Sequence, residues 1–156
     1  MMIDTVEAFK VLKHYGIHTV RGKTGHQAGT DVAIAGRTDP DGKRFIDACS
    51  ATHGAERMIP LDAAGAEFLA TNFQAHHHHG TSEAARRMLE HLLLRVSALF
   101  EHSGISEFFL TVRLYESSYT VVDASMKAPR ALHLKERLDA HAHDRKSTGY
   151  HSAGRE

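Results

Sequence analysis

Four consecutive histidines, His76 to His79, are the densest group of metal-ligand side chains in the chain. Imidazole suits Zn²⁺, Ni²⁺ or Cu²⁺, and a loop can fold several imidazoles around one ion. Adjacent side chains project in different directions, however, so a tetrahedral site needs ligands from elsewhere. No cysteine pair supplies them, and His14 and His18 stand on either side of Gly16, a helix-stop residue. The tract is read first as a loop that takes up metal adventitiously; a metal-buffering or pH-responsive His-rich protein is a separate reading. His141, His143 and His151 are read as solvated tail residues.

Other chemistry-bearing groups are sparser. Cys49 precedes His53 by one helical turn of sequence, which suggests a thiol beside a base. Nothing nearby supplies an orienting group or an oxyanion turn, so Cys49 is read as a small apolar residue at a strand end. Gly22-Lys23-Thr24-Gly25 has the ending of a phosphate loop, but the earlier glycine is missing and a strand follows where a helix is required. The acids Asp31, Asp39, Asp41, Asp47 and Glu107 offer carboxylates for Mg²⁺, yet no local periodicity makes any two converge.

Composition excludes several classes of function. The chain has 156 residues, 19 basic and 19 acidic, with a net charge of zero. Basic residues are scattered, so nucleic acid is not an expected partner. The longest apolar run, Leu92-Leu93-Leu94, is far too short to span a membrane. Met1-Met2-Ile3-Asp4 has no basic, then apolar, signal-peptide pattern, and a single cysteine implies no oxidising compartment; a cytoplasmic location is expected. The 14 histidines are mostly neutral at pH 7 and charge toward pH 6.

The elements that must position these groups follow from periodicity. Asp4 and Glu7 form a capping box for a helix with Val6, Phe9, Leu12 and Tyr15 on one side and Gly16 as its stop. A short strand is expected at Ile17 to Val20 and a loop from Gly22 to Gly29. Asp31 to Arg37 and Lys43 to Ala48 read as a hairpin about the turn Thr38-Asp39-Pro40-Asp41-Gly42. Residues 49–57 carry no clear pattern. Asp62 caps a helix to about Phe73 that buries Ala63, Ala66, Phe68 and Leu69. Thr81 or Ser82 caps the longest helix, with Ala85, Met88, Leu89, Leu92, Leu93, Val96, Leu99 and Phe100 inward and Gly104 at its end. Phe108 to Leu114 and Tyr119 to Val122 read as strands joined through Glu116-Ser117-Ser118, and Ala131 to Ala142 as a last helix. This predicts one α+β domain over 1–142, an antiparallel or mixed sheet packed with helices, and a flexible polar tail over 143–156.

In order along the chain, these segments resemble the ATP-grasp domain of NDP-forming acyl-CoA synthetases, of the succinyl-CoA ligase β type. The opening helix runs into Tyr15-Gly16-Ile17, as the family's runs into Tyr-Gly-Ile-Pro. Asp31-Val32-Ala33-Ile34-Ala35-Gly36-Arg37-Thr38-Asp39-Pro40 resembles its Glu-Val-Ile-Ile-Gly-Val-x-x-Asp-Pro strand and turn. Ile59-Pro60-Leu61-Asp62 with Ala66 resembles the start of one of its helices. The long helix, Ile105-Ser106-Glu107 and Val121-Val122-Asp123-Ala124 resemble its closing elements. The resemblance touches most of residues 3–125, in pieces, and implies a fold like the carboxyl-terminal half of an ATP-grasp domain.

The departures bear on activity. About a dozen residues stand between Ile17 and Asp31, where the family has its phosphate-holding segment. Aligned on Glu107, Phe109 occupies the family's second acid position and Thr111 and Val112 its Asn-Pro. Phenylalanine cannot bind a hard cation, and without a metal clamp phosphoryl transfer loses its main electrostatic support. The resemblance therefore implies a pseudoenzyme, a non-catalytic binding or assembly partner for a protein or for a second copy of itself. The alternative is a ligase subunit that binds ATP and Mg²⁺ through Lys23, Asp31 and Glu107 and completes its site with a CoA-binding chain, in acid–thiol ligase chemistry.

Overall fold

A computed structural model describes residues 5–20, 29–73, 83–115, 118–127 and 134–139. Helix α1 (Thr5–His14) closes on Gly16, whose φ of 74° is the left-handed stop its sequence suggests. The Gly16 and Ile17 amides donate to the Lys13 and Leu12 carbonyls, and Phe9 and Leu12 are buried. Strands β1 (Thr30–Thr38) and β2 (Arg44–Ser50) pair antiparallel across a turn organised by Asp39. One Asp39 carboxylate oxygen accepts from the Asp41 and Lys43 amides at 2.9 and 2.8 Å, and Gly42 takes a φ of 83°.

Strand β3 (Glu56–Pro60) follows, and the sequence did not announce it. Its pairing with β2 is broken by a bulge at Ile46/Ala48, and only Ile59 is buried, so no alternation marks it. Helix α2 (Ala63–Asn72) starts at Asp62, whose side chain accepts from the Gly65 amide at 3.1 Å. Ala66 and Leu69 are buried as expected; Ala63 instead faces solvent and Phe68 is half-buried. Helix α3 (Glu83–Ser103) buries the whole expected stripe and ends before Gly104, at φ 74°. Strands β4 (Glu107–Leu114) and β5 (Tyr119–Ser125) form the second hairpin, and α4 (134–139) lies within the expected last helix. The expected caps Asp4, Thr81 and Ser82 and the tail 143–156 lie outside the described residues.

The sheet order is β3-β2-β1-β4-β5, and every neighbouring pair is antiparallel. This is an α+β architecture. The strand expected at Ile17 to Val20 is only a parallel bridge, Thr19 to Val121, in which the Val121 amide donates to His18 and the Val20 amide to Val121. The outer edge of β5 is met there. The main core fills one face of the sheet, where Val32, Ile34, Ile46, Phe108, Leu110 and Val112 meet α1, α2 and α3. A smaller cluster of Ala33, Ala35, Cys49 and Phe109 lies on the other face with Leu134 and Leu138 of α4. No helix among the described residues is long and apolar enough to cross a membrane.

Gly36 and Gly65 are required by close approach. A Cβ at Gly36 would lie 2.4 Å from the Phe108 ring, and one at Gly65 would lie 1.8 Å from the Pro60 carbonyl oxygen. The second contact is with backbone, which cannot swing aside. Gly65→Ala is therefore expected to lower stability by about 1–3 kcal/mol, read as a lower urea midpoint, despite the better helix propensity of alanine.

Candidate functional site

Alternation along β1 sends Asp31, Ala33, Ala35 and Arg37 to the face opposite the main core. Register sets Arg113, Thr111, Phe109 and Glu107 of β4 beside them, and Cys49, Asp47 and Phe45 of β2 on the other flank. Asp123 of β5 stands next to Thr111. Three of the candidate acids, Asp31, Asp47 and Glu107, thus share one face of the sheet.

Sharing a face does not bring them together. Asp31 and Glu107 sit at the two ends of the β1/β4 ladder, opposite Arg113 and Arg37 respectively. At roughly 3.4 Å per residue that separation is about 20 Å, far beyond the reach of one cation. Each acid also faces a guanidinium. Arg113 donates through Nε to Asp31 Oδ1 at 2.8 Å and through Nη2 to Oδ2 at 3.5 Å, and their side chains are 1% and 8% exposed. Arg37 donates through Nε to Asp47 Oδ2 at 3.3 Å, and its Nη1 lies 3.9 Å from Glu107 Oε2. The Met58 amide donates to Asp47 Oδ1 at 3.2 Å, which holds Met58 at a φ of 60° on the β3 edge. Asp39 organises its turn instead of joining the face.

The residues at the departed ligand positions lie on this same face. Phe109 is fully buried, and Thr111 Oγ1 is buried without a hydrogen-bond partner among the described residues. Among the described residues no group of three or more His, Cys, Asp or Glu side chains is placed to hold a metal ion. Lys23 and His76, His77, His78 and His79, the other candidate binding residues, lie outside the described residues, as do His141, His143 and His151.

Cys49 and His53 form no nucleophile–base pair. The Cys49 sulfur contacts the Ser50 and His53 carbonyl oxygens at 3.6 and 3.8 Å, whereas the His53 ring packs edge-on against Phe73 and approaches Glu56 at 3.5 Å. Burial pushes the Cys49 thiol up, away from the thiolate that a nucleophile requires.

A second cluster went unread in the sequence. The His18 ring lies 6.5 Å from that of His91 and 5.5 Å from Tyr119, and His91 lies 6.4 Å from Tyr119. Arg95 Nε donates to His91 Nε2 at 3.3 Å, with that nitrogen as the acceptor. Burial, then Arg95, then His18 lower the pKa of His91. Beside it is an open depression of about 360 Å³ between α2 and α3, lined by Leu61, Asp62, Ala63, Glu90, His91 and Leu94. Its acids are engaged: Asp62 caps α2, and Glu90 pairs with Arg86. No local pattern links His18, His91 and Tyr119, which come from a loop, a helix and a strand.

The fold and site define an α+β domain whose sheet carries paired charges on one face. No family model matches the chain, and no curated protein matches it. Solved structures from Ca. Korarchaeum cryptofilum resemble it. ACD1 in complex with coenzyme A shares 20% identity at a TM-score of 0.47, over 64% of this chain and 50% of that chain. The dinucleotide forming acetyl-coenzyme A synthetase 1, in complex with coenzyme A, Ca-AMPCP and HgCl+, gives the same identity and TM-score over 64% and 49%. The chain spans about half the length of these solved chains.

Two outcomes follow from the geometry. Asp31→Asn leaves the buried Arg113 guanidinium without its carboxylate and is expected to cost about 3–5 kcal/mol in urea unfolding. Replacing both partners, Asp31→Leu with Arg113→Met, is expected to cost less than Asp31→Asn alone. The native pKa of His91 lies below its unfolded value, so the native state binds fewer protons. Its contribution is intact above the ordinary histidine value of 6.5 and is lost as pH falls below it. Urea midpoints measured from pH 7.5 to 5 should fall more steeply for the parent than for His91→Gln.

Proposed function

We propose that this chain is a non-catalytic ATP-grasp-like domain, resembling part of an NDP-forming acyl-CoA synthetase, that serves as a binding or assembly partner. The observation that carries the reading is the engagement of Asp31. A ligase subunit would need Asp31 as one of its metal ligands; here it is buried against Arg113. A cation entering there would have to displace a guanidinium and expose a buried positive charge, which is strongly unfavourable. Glu107 stands at the far end of the ladder beside Arg37, and Phe109 and Thr111 replace the other ligands. Among the described residues, the acids that such a site would use are thus engaged by guanidinium groups of the same chain.

What remains is a rigid sheet with surfaces for a partner, either another protein or a second copy of the chain. Sheet edges are poor candidates for that contact. The β5 edge is met at Thr19 and Val20, and β3 carries a bulge, Pro60 and the left-handed Met58, devices that discourage strand addition. The exposed Leu94 and the depression beside it offer apolar contact instead. A buried, single cysteine suits a cytoplasmic location.

Calorimetry with ATP and Mg²⁺ on the full chain tests the reading, and no saturable magnesium-dependent heat is expected. A micromolar, magnesium-dependent affinity abolished by Asp31→Ala and by Glu107→Ala would overturn it in favour of a ligase subunit. Light scattering in the same buffer reports whether a second copy is the partner.

A further inference from the structure

Beside the start of β5, four polar groups from three segments meet. His18 follows the Gly16 stop of α1, His91 and Arg95 stand one turn apart on α3, and Tyr119 opens β5. The two imidazoles are 6.5 Å apart with planes 29° from parallel, and the Tyr119 ring lies within 6.4 Å of both. The Arg95 guanidinium lies over Gly16, where a Cβ would be 3.7 Å from its Cζ. That is the carboxyl end of α1, whose carbonyls favour a cation. His18, His91 and Arg95 are exposed, whereas Tyr119 is buried.

The positive charge of this cluster is not answered by a carboxylate. Arg37, Arg86, Arg113 and Arg137 each pair with an acid, but Arg95 meets none among the described residues. The acids beside His91 are Asp62, which caps α2, and Glu90, which pairs with Arg86. The charges that act on His91 are those of Arg95 and His18, and both oppose its protonation. Tyr119 Oη is buried without a hydrogen-bond partner among the described residues. Burial pushes its phenol up while the His18 backbone and Arg95 pull it down, so the hydroxyl sits at the cluster. A buried hydroxyl in that position is a donor awaiting an acceptor.

The contact between Arg95 and His91 makes the cluster depend on protons. Neutral His91 accepts from Arg95 Nε at 3.3 Å. Once the ring is protonated, Nε2 carries a proton too, and two donors face each other. A metal ion does not relieve that clash, because it needs the imidazole lone pair and is repelled by the guanidinium. An oxyanion does, by accepting from both.

We propose that His18, His91, Arg95 and Tyr119 form a binding site for a tetrahedral oxyanion, a phosphate or sulfate group, that fills as the imidazoles gain protons. Guanidinium and imidazolium supply the charge-assisted bonds, and the Tyr119 hydroxyl supplies a neutral one. Tyr119 belongs to the main-core side of the sheet, opposite the face of Asp31 and Glu107. The site therefore goes beyond the proposed function and does not depend on it. Binding and protonation are linked: the anion raises the imidazole pKa values, and its affinity rises as pH falls.

Sulfate is the first probe, because its charge is constant over the range in which histidine titrates. On the full chain at fixed ionic strength, the imidazole NMR signals of His18 and His91 are followed against sulfate from about pH 7.5 to about pH 5.5. His18→Gln and His91→Gln assign those signals. Saturable shifts are expected, with affinity rising about tenfold across that range, which corresponds to a rise of about one unit in imidazole pKa. Arg95→Gln, an exposed change, should raise the His91 pKa in chloride alone yet remove the saturable response to sulfate, with the urea midpoint retained. Arg95→Lys should restore part of that response, and Tyr119→Phe should weaken binding severalfold. Inorganic phosphate and glycerol phosphate, titrated in the same way, distinguish a free ion from an ester; saturation by either that Arg95→Gln removes supports the site. Shifts that do not saturate, that are independent of pH, or that persist unchanged in Arg95→Gln would overturn the inference.

Discussion

Strand β1 is hydrogen-bonded along both of its edges, to β2 and to β4, and this double pairing governs the molecule. A strand held on both sides cannot slip, because a one-residue shift would exchange every side chain between faces. Its even-numbered residues Val32 and Ile34 enter the main core with Gly36, which admits the Phe108 ring. Its odd-numbered residues Asp31 and Arg37 are carried to the opposite face, where register dictates their partners. The placement of both the core and the charged groups follows from that one constraint.

The charged face shows how a sheet can carry several acids without gathering them. A catalytic metal centre needs carboxylates that converge and remain open to the ion. Here the ladder spreads Asp31, Asp47 and Glu107 along the sheet, and Arg113 and Arg37 answer them with charges of the same chain. An ion pair as buried as Asp31 and Arg113 adds little net stability over a well-packed apolar pair, yet breaking it is severe. Its effect is to tie the start of β1 to the end of β4 in one register.

Much of the local structure was legible because its causes are local. Asp39 and Gly42 specify the first hairpin turn, Asp62 the start of α2, and Gly16 and Gly104 the ends of two helices; each acts within a few residues of itself. The stripe from Ala85 to Phe100 announces α3 because its period is that of a helix with one buried face. Strand β3 was illegible for the converse reason. It is a short, bulged edge strand that buries only Ile59, so it presents no alternation, and its existence depends on β2 being there to pair with. The stretch 17–20 looked like a strand by composition, yet among the described residues it makes a single parallel bridge to β5.

By itself, then, the sequence determined the class of fold, most element boundaries, the inward face of α3 and the absence of a thiol–imidazole couple worth defending at Cys49. Only the tertiary structure decided that Asp31 belongs to Arg113 and Glu107 to Arg37, that His18, His91 and Tyr119 meet, and that Leu134 and Leu138 cover the second face. The reason is range. Caps, turns and periodic stripes are settled by neighbours a few residues away, whereas the partner of a charge is chosen by strand register between segments as distant as Asp31 and Arg113.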